Sequence, residues 1–117
     1  MTTELSAEDA KLVTLARGAR GRVGAAEGAA VRDETGRTYS GATVALDSLA
    51  LSALQLAVAQ AAASGARGLE AAVVVRREAP PTDSDLDAVR ALGGAGIVVE
   101  QIDGQSGIAQ PVTLGSR

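Results

Sequence analysis

The sequence contains no cysteine and no histidine, and these two absences exclude several kinds of site chemistry. Without cysteine the chain forms no disulfides. Without either residue, zinc loses its two preferred ligand types, so that only carboxylates, hydroxyls and carbonyls remain as donors. Imidazole general-base catalysis and the Ser-His-Asp and Cys-His nucleophile systems are excluded as well. We therefore predict that the protein uses no zinc and no other cofactor.

Aromatic residues are nearly absent too, since there is no phenylalanine or tryptophan and Tyr39 is the single tyrosine. A core must therefore be filled by leucine, valine, isoleucine and alanine, and the smaller of these side chains bury little area each. We expect the secondary-structure elements to approach each other closely and the chain to gain stability by self-association. With 117 residues, of which 46% are hydrophobic and 21% charged, the composition indicates one globular domain over residues 1–117.

Basic residues are fewer than acidic ones, so that the formal net charge is −3 and the pI is about 4.8. The densest basic cluster, Arg17, Arg20 and Arg22, is typical of a solvated helix face, so we predict no nucleic-acid partner. The longest uncharged stretch, residues 48–66, offers only about 15 suitable positions where a membrane span needs about 20. Since residues 1–8 are polar and acidic, the sequence predicts no membrane segment and a cytoplasmic location.

Three helix starts are marked by residues that cap helices. The predicted starts are Ser6 with Asp9 three residues later, Asp47 or Ser48, and Thr82 with Asp85 three residues later. Glycines then predict where the helices end, namely near Gly21, at Gly65 and at Gly93.

Five segments are predicted to be strands, from their apolar and β-branched residues. They are residues 28–31, 38–44, 69–75, 97–99 and 108–114. The first two form a hairpin around the turn at 33–36. The continuous apolar run at 69–75 is typical of a strand covered on both faces, and Pro111 favours an edge position for the last strand. The predicted order is α-β-β-α-β-α-β-β.

Three stretches agree in order and spacing with one known family. Residues 28–31 (Gly-Ala-Ala-Val), with 33–37 and 39–41, are similar to a first hairpin in which a Gly-Ala-Ala strand meets an Asp-Gly-Arg turn. Residues 51–57 stand where that family has a Cys-Ala-Glu or His-Ala-Glu helix, and residues 81–85 stand where its Pro-Cys-x-x-Cys motif begins the next helix. The chain thus resembles the cytidine deaminase family over nearly its whole length. The resemblance implies a three-layer α/β/α domain with a mixed sheet of about five strands.

The resemblance also implies where the family's functional residues would fall. In zinc deaminases, three Cys or His ligands hold an activated water and a Glu moves protons. The paired Cys correspond here to Thr82 and Asp85. If the loop between the family's ribose-binding motif, at residues 43–45 here, and the helix has its usual length, the first ligand corresponds to Leu54 and the proton-carrying Glu to Leu56. If the preceding loop is two residues shorter, Ser52 and Leu54 take those two places instead.

The family's Asn-x-Glu, which grips the ribose, corresponds to Thr43 and Ala45 with Val44 between them. Neither sugar contact is kept. In either register of the helix, no thiol, imidazole or proton-carrying Glu stands at the implied positions. The resemblance therefore implies a degenerate family member that has lost its zinc motifs.

Two groups of polar residues allow more than one interpretation. Asp85, with Asp83 and Asp47, has the carboxylates that suit a hard cation, but Asp at a helix start is more often a cap. Ser52 and Gln55, one turn apart, indicate either a small polar pocket or side chains that bond nearby backbone.

We predict from these observations a pseudoenzyme, a non-catalytic protein with a structural or interaction role. The resemblance implies a homo-oligomer, a dimer or tetramer. The alternative is a metal-independent enzyme, or a module that binds a small ligand such as a nucleoside or an anion, at the remnant pocket. The residues of that pocket would be Thr43, Ala45, Ser52, Leu54, Gln55, Leu56, Thr82 and Asp85.

Overall fold

The computed structural model describes residues 5–76 and 80–114, and helices and strands alternate along both segments. The helices are α1 (Ala7–Val23), α2 (Ala53–Ala63) and α3 (Asp83–Gly93). The strands are β1 (Glu27–Asp33), β2 (Thr38–Ala42), β3 (Val44–Ala45), β4 (Ala50–Leu51), β5 (Leu69–Arg76), β6 (Val98–Asp103) and β7 (Ala109–Thr113). The predicted alternation is confirmed, and the short strands β3 and β4 are an addition to it.

Five of the strands form one mixed sheet in the order β2-β1-β5-β6-β7. β5 and β6 are parallel, and the other neighbouring pairs are antiparallel. The middle strand is β5, as its continuous apolar run predicts, and its residues Val73, Val74 and Val75 are fully buried. The last strand, β7, is an edge strand, where Pro111 costs the sheet little because an edge N–H needs no partner strand.

The helices cover both faces of this sheet, which confirms the three-layer α/β/α architecture. On one face Leu12 and Ala16 of α1 pack with Val73 and Val75 of β5. On the other face α2 and α3 pack over Val74 and its neighbours. Because successive strand residues point to opposite faces, the uninterrupted apolar sequence of β5 supplies both cores. Within the described residues, no helix is long and apolar enough to cross a bilayer.

Helix α1 lies very close to β1, as expected for a core without large aromatic side chains. A Cβ atom placed on Gly28 would lie 2.0 Å from the carbonyl oxygen of Ala16 and 2.8 Å from Cβ of Arg20. Only glycine leaves room for this approach. The close packing of helix backbone on strand backbone compensates for the small size of the side chains between them.

The second helix begins later than predicted. Asp47 and Ser48 do not cap it, because they lie in the turn of a hairpin formed by β3 and β4, where Leu46 N donates to Leu49 O at 2.9 Å. The N-cap is Ser52. Two short strands thus use the residues that the sequence pattern assigned to the first turn of a helix.

The first helix ends later than predicted as well. It continues through Gly21 to Val23, and Gly24 is its C-cap, with φ of 64° and its N–H bonded to the carbonyl of Arg20. Glycine inside a helix is tolerated at a modest cost, whereas the left-handed backbone after the last turn strongly favours it. Gly24, rather than Gly21, therefore marks the end of the helix.

Candidate active site

The starts of α2 and α3 meet at one end of the sheet, where they border an open pocket of about 420 Å³. We call it the helix-start pocket. Its lining residues are Glu27, Thr43, Val44, Ala45, Ala50, Leu51, Ser52, Gln55, Arg76, Thr82, Ser84 and Asp85. The N-caps of both helices are among them, so the first backbone amides of two helices lie beside the same space.

The start of α2 is a complete capping box. The Ser52 hydroxyl accepts a hydrogen bond from Gln55 N at 3.1 Å, and Gln55 Oε1 accepts one from Ser52 N at 2.9 Å. Both side chains therefore form hydrogen bonds with nearby backbone, which is one of the two interpretations that the sequence allowed. Both residues also line the pocket.

The start of α3 is built in the same way. The Thr82 hydroxyl accepts from Asp85 N at 3.3 Å, and Asp85 Oδ2 accepts from Thr82 N at 3.0 Å. Asp85 is buried although it carries a carboxylate, because the cap satisfies it. Asp47 lies in the turn between β3 and β4 and not with Asp85. Among the described residues, no three Cys, His, Asp or Glu side chains group together as metal ligands would.

Two charged residues enter the pocket from the sheet, and the sequence interpretation missed both. Glu27 opens β1 and Arg76 closes β5, and they are partners in the antiparallel register of these strands. Oε2 of Glu27 lies 2.9 Å from Nη1 of Arg76, and the same nitrogen lies 3.8 Å from Oδ2 of Asp85. The other oxygen of Glu27 lies 3.5 Å from the backbone N of Ala53, the first residue of α2.

The charges of the pocket are arranged so that they nearly cancel. A helix N-terminus carries roughly half a positive charge, and two of them face Glu27, Arg76 and Asp85 here. Acidic groups are favoured near helix N-termini. Chemically, the pocket offers a carboxylate able to accept or donate a proton, and backbone N–H groups able to stabilise a developing negative charge.

The wall opposite the helices is mainly apolar. It consists of Val44 and Ala45 of β3 and Ala50 and Leu51 of β4. The Thr43 hydroxyl accepts from the backbone N of Glu27 at 3.1 Å, so it holds β1 in place. The pocket therefore combines polar residues at the helix starts and strand ends with apolar residues of β3 and β4, which is typical of sites for small organic molecules.

Most residues of the predicted remnant pocket do come together. Six of the eight line the helix-start pocket, namely Thr43, Ala45, Ser52, Gln55, Thr82 and Asp85. The other two do not, because Leu54 is fully buried in the core and Leu56 lines a neighbouring groove beside Gly41. A signal for Glu27 and Arg76 did exist: each is a charged residue directly at the end of a buried strand.

A protein-family model described as cytidine deaminase-like matches residues 5–106. Among solved structures, the fold is similar to a cytidine deaminase from Burkholderia pseudomallei, with a TM-score of 0.81 and 21% identity over 95% of this chain and 94% of that chain. It is also similar to the enzymes from Mycobacterium tuberculosis (TM-score 0.73, 23% identity, 94% and 93% covered) and Mycobacterium leprae (0.70, 19%, 91% and 94%). At these identities the likeness shows the fold. No curated protein matches the sequence significantly.

The sequence-based prediction of a non-catalytic structural or interaction protein is wrong. The matching structures are of enzymes, cytidine deaminases, over nearly the full length of both chains. The prediction weighed only the positions that the resemblance implies, on the two helices and at Thr43 and Ala45. It found Leu54 and Leu56, which carry no proton, at the implied places, and it did not consider Glu27 of β1, which lines the pocket.

Proposed function

Because this chain belongs to the cytidine deaminase-like family, we propose that it is a deaminase, with the helix-start pocket as its active site. The substrate would be an aminopyrimidine of the cytidine type. Water adds to the ring carbon that bears the amine, the amine leaves as ammonia, and a carbonyl remains. The observation that carries the proposal is the Glu27 carboxylate, which lies in the pocket within 3.5 Å of the first amide of α2.

The residues of the pocket do not fit the zinc ion that zinc deaminases use. The hydroxyls of Ser52 and Thr82 accept hydrogen bonds within the caps, and Asp85 is held by its own cap. The guanidinium of Arg76 already lies against both carboxylates. A dication would be repelled by this guanidinium, and the chain has no thiol or imidazole to bind zinc. We therefore assign no step of the reaction to zinc.

In the proposed reaction Glu27 is the residue that carries protons. Its carboxylate accepts a proton from the attacking water and returns one to the departing amine. The N–H of Ala53 and the guanidinium of Arg76 lie beside the same carboxylate and hold it in place in the pocket. Asp85 stays in its cap and shares Arg76 with Glu27. The apolar residues of β3 and β4 pack against the ring.

The expected rate is low. Bound zinc lowers the pKa of its water to about 7, and a carboxylate base provides no comparable activation. General acid-base help from a positioned side chain contributes roughly 100- to 10,000-fold. We therefore expect slow turnover, which calls for a sensitive assay with long incubation.

The direct test is to incubate the purified protein with cytidine and to measure ammonia and uridine together. The reaction is run after dialysis against EDTA and, in parallel, with added zinc. Equal amounts of ammonia and uridine above a protein-free blank support the proposal. Failure to form either product under both conditions contradicts it.

We also propose that the protein acts in the cytoplasm as a dimer or tetramer. Three large apolar side chains support the association, since Val23, Leu46 and Leu49 are 69%, 65% and 51% exposed. Val23 and Leu46 line one groove, and Leu49 follows Leu46 in the hairpin of β3 and β4. A second subunit covering this groove would remove them from water.

A further inference from the structure

Arg76 is placed unusually for a charged residue at the end of a strand. Its side chain is largely buried, and its Nη1 lies less than 4 Å from a carboxylate oxygen of Glu27 and from one of Asp85. Within the described part of the chain, this nitrogen is buried and has no hydrogen-bond partner of acceptable geometry. Arg76 therefore interacts with the two carboxylates mainly through its charge, as a bound cation does.

We infer that Arg76 is the permanent cation of this site, standing in the pocket that both helix starts line. With Arg76, the two carboxylates and the roughly half positive charge of each helix N-terminus sum to a charge near zero. Without it, the same groups carry about one negative charge in a partly buried space. Arg76 thus makes the site independent of any metal for its charge balance.

The backbone fixes Arg76 in this position. Glu27 and Arg76 are register partners on adjacent strands, so their side chains leave the sheet side by side. Asp85 is held by the cap of α3, and its Oδ2 lies 3.8 Å from the same nitrogen of Arg76. Residues of β1, β5 and α3 therefore meet at Nη1 of Arg76. Arg76 has this role whether or not the protein deaminates cytidine, because charge balance is a property of the folded state.

The test replaces Arg76 and asks which cations compensate for its loss. In Arg76→Ala, the paired carboxylates are left without a positive partner, and we expect a lower melting temperature than in the wild type. Zinc, or guanidinium ion at low millimolar concentration, should then raise the melting temperature of the variant by roughly 5–10 °C at saturation. The wild type should show no such rise.

Two further variants separate this role from a merely structural one. Arg76→Lys keeps a cation and should melt close to the wild type without gaining a response to zinc. The double variant R76A/E27Q has one carboxylate fewer and should lose the response that Arg76→Ala gains. If zinc and guanidinium leave Arg76→Ala unchanged, the inference is wrong.

A measurement on the wild type keeps the inference testable even if Arg76→Ala does not fold. Equilibrium dialysis with zinc should find no stoichiometric binding to the wild-type protein. Zinc bound one to one, and lost in Glu27→Gln, would show that the site takes a metal beside Arg76 and would overturn the inference. Neither readout depends on turnover, so a failed cytidine assay leaves the result unaffected.

Discussion

Glu27 and Arg76 face each other across the ladder between β1 and β5, with 2.9 Å between Oε2 and Nη1. This pairing joins the start of one buried strand to the end of another. It brings a carboxylate and a guanidinium to the end of the sheet at which α2 and α3 begin. The chemistry proposed for the pocket therefore depends on strand register as much as on the helices.

Replacing the carboxylate of Glu27 should remove the proton carrier. We expect Glu27→Gln, which keeps size and polarity, to lower the rate of uridine formation by about 100-fold or more. The rate is measured at saturating cytidine, and circular dichroism checks that the fold is kept. Glu8→Gln, an exposed change in the first turn of α1, is the matched control and should be as active as the wild type. Full activity in Glu27→Gln would remove Glu27 from the mechanism.

Adding a single methyl group at Gly28 should destabilise the fold strongly. In Gly28→Ala the new Cβ would lie 2.0 Å from the Ala16 carbonyl oxygen, so α1 or β1 must shift. We expect a loss of about 2 kcal/mol or more in the free energy of unfolding, measured by urea denaturation. Gly68→Ala is the control, since nothing lies within 4 Å of its added Cβ and its φ is not positive. Equal stabilities of the two variants would contradict the close contact.

Acid should destabilise the hairpin of β1 and β2 through Asp33. Burial raises the pKa of this carboxyl, but hydrogen bonds from Thr35, Tyr39 and Arg37 outweigh burial and lower the pKa to about 2. Because this pKa lies below that of the unfolded chain, near 3.9, the stabilisation is fully present above about pH 4 and is lost as the pH falls towards 2. Urea denaturation at several pH values measures the effect.

The control for this acid response is Asp33→Asn, which has no charge to titrate. Its stability should fall less steeply than that of the wild type between about pH 4 and pH 2. Asp103, whose pKa is lowered by backbone hydrogen bonds from Ser106 and Gln105, contributes in the same direction and is unchanged in the variant. Identical slopes in both proteins would show that Asp33 does not determine the response.

Self-association should depend on the exposed side chains of the β3–β4 hairpin. We expect light scattering to give the mass of a dimer or tetramer for the wild type, and a lower mass for Leu46→Asp combined with Leu49→Asp. A charge at the centre of an apolar contact opposes association. Ile108→Asp, at an exposed position outside this hairpin, is the control and should keep the wild-type mass. A wild-type protein that is strictly monomeric would contradict the proposal.

The parts of the fold that the sequence predicted are those in which local signals agree. The run of valines in β5 and the capping pair of Thr82 and Asp85 act within a few residues, and both are found as predicted. At the second helix the local signals compete. Asp47 and Ser52 are both good N-caps, and pairing of β3 with β4 together with burial of Leu54 decides between them.

The meeting of Glu27 and Arg76 in the helix-start pocket could not be predicted in the same way. Glu27 and Arg76 are far apart in sequence, and nothing local indicates that they are register partners. The resemblance to the cytidine deaminase family implies functional residues at the starts of two helices, and not at the ends of β1 and β5. Two charged residues at the ends of buried strands were the available signal, and a predicted antiparallel pairing of β1 with β5 would have been needed to use it.

The central position of β5 has a consequence for the order in which the chain folds. α1 and the β1–β2 hairpin use contacts between residues close in sequence and are synthesised first, so we expect them to form early. Until β5 arrives, the inner edge of β1 has no neighbour, and its backbone groups can pair with another chain. A ribosome-bound fragment that ends before residue 69 should therefore associate or recruit a chaperone, whereas one that includes β5 and β6 should not.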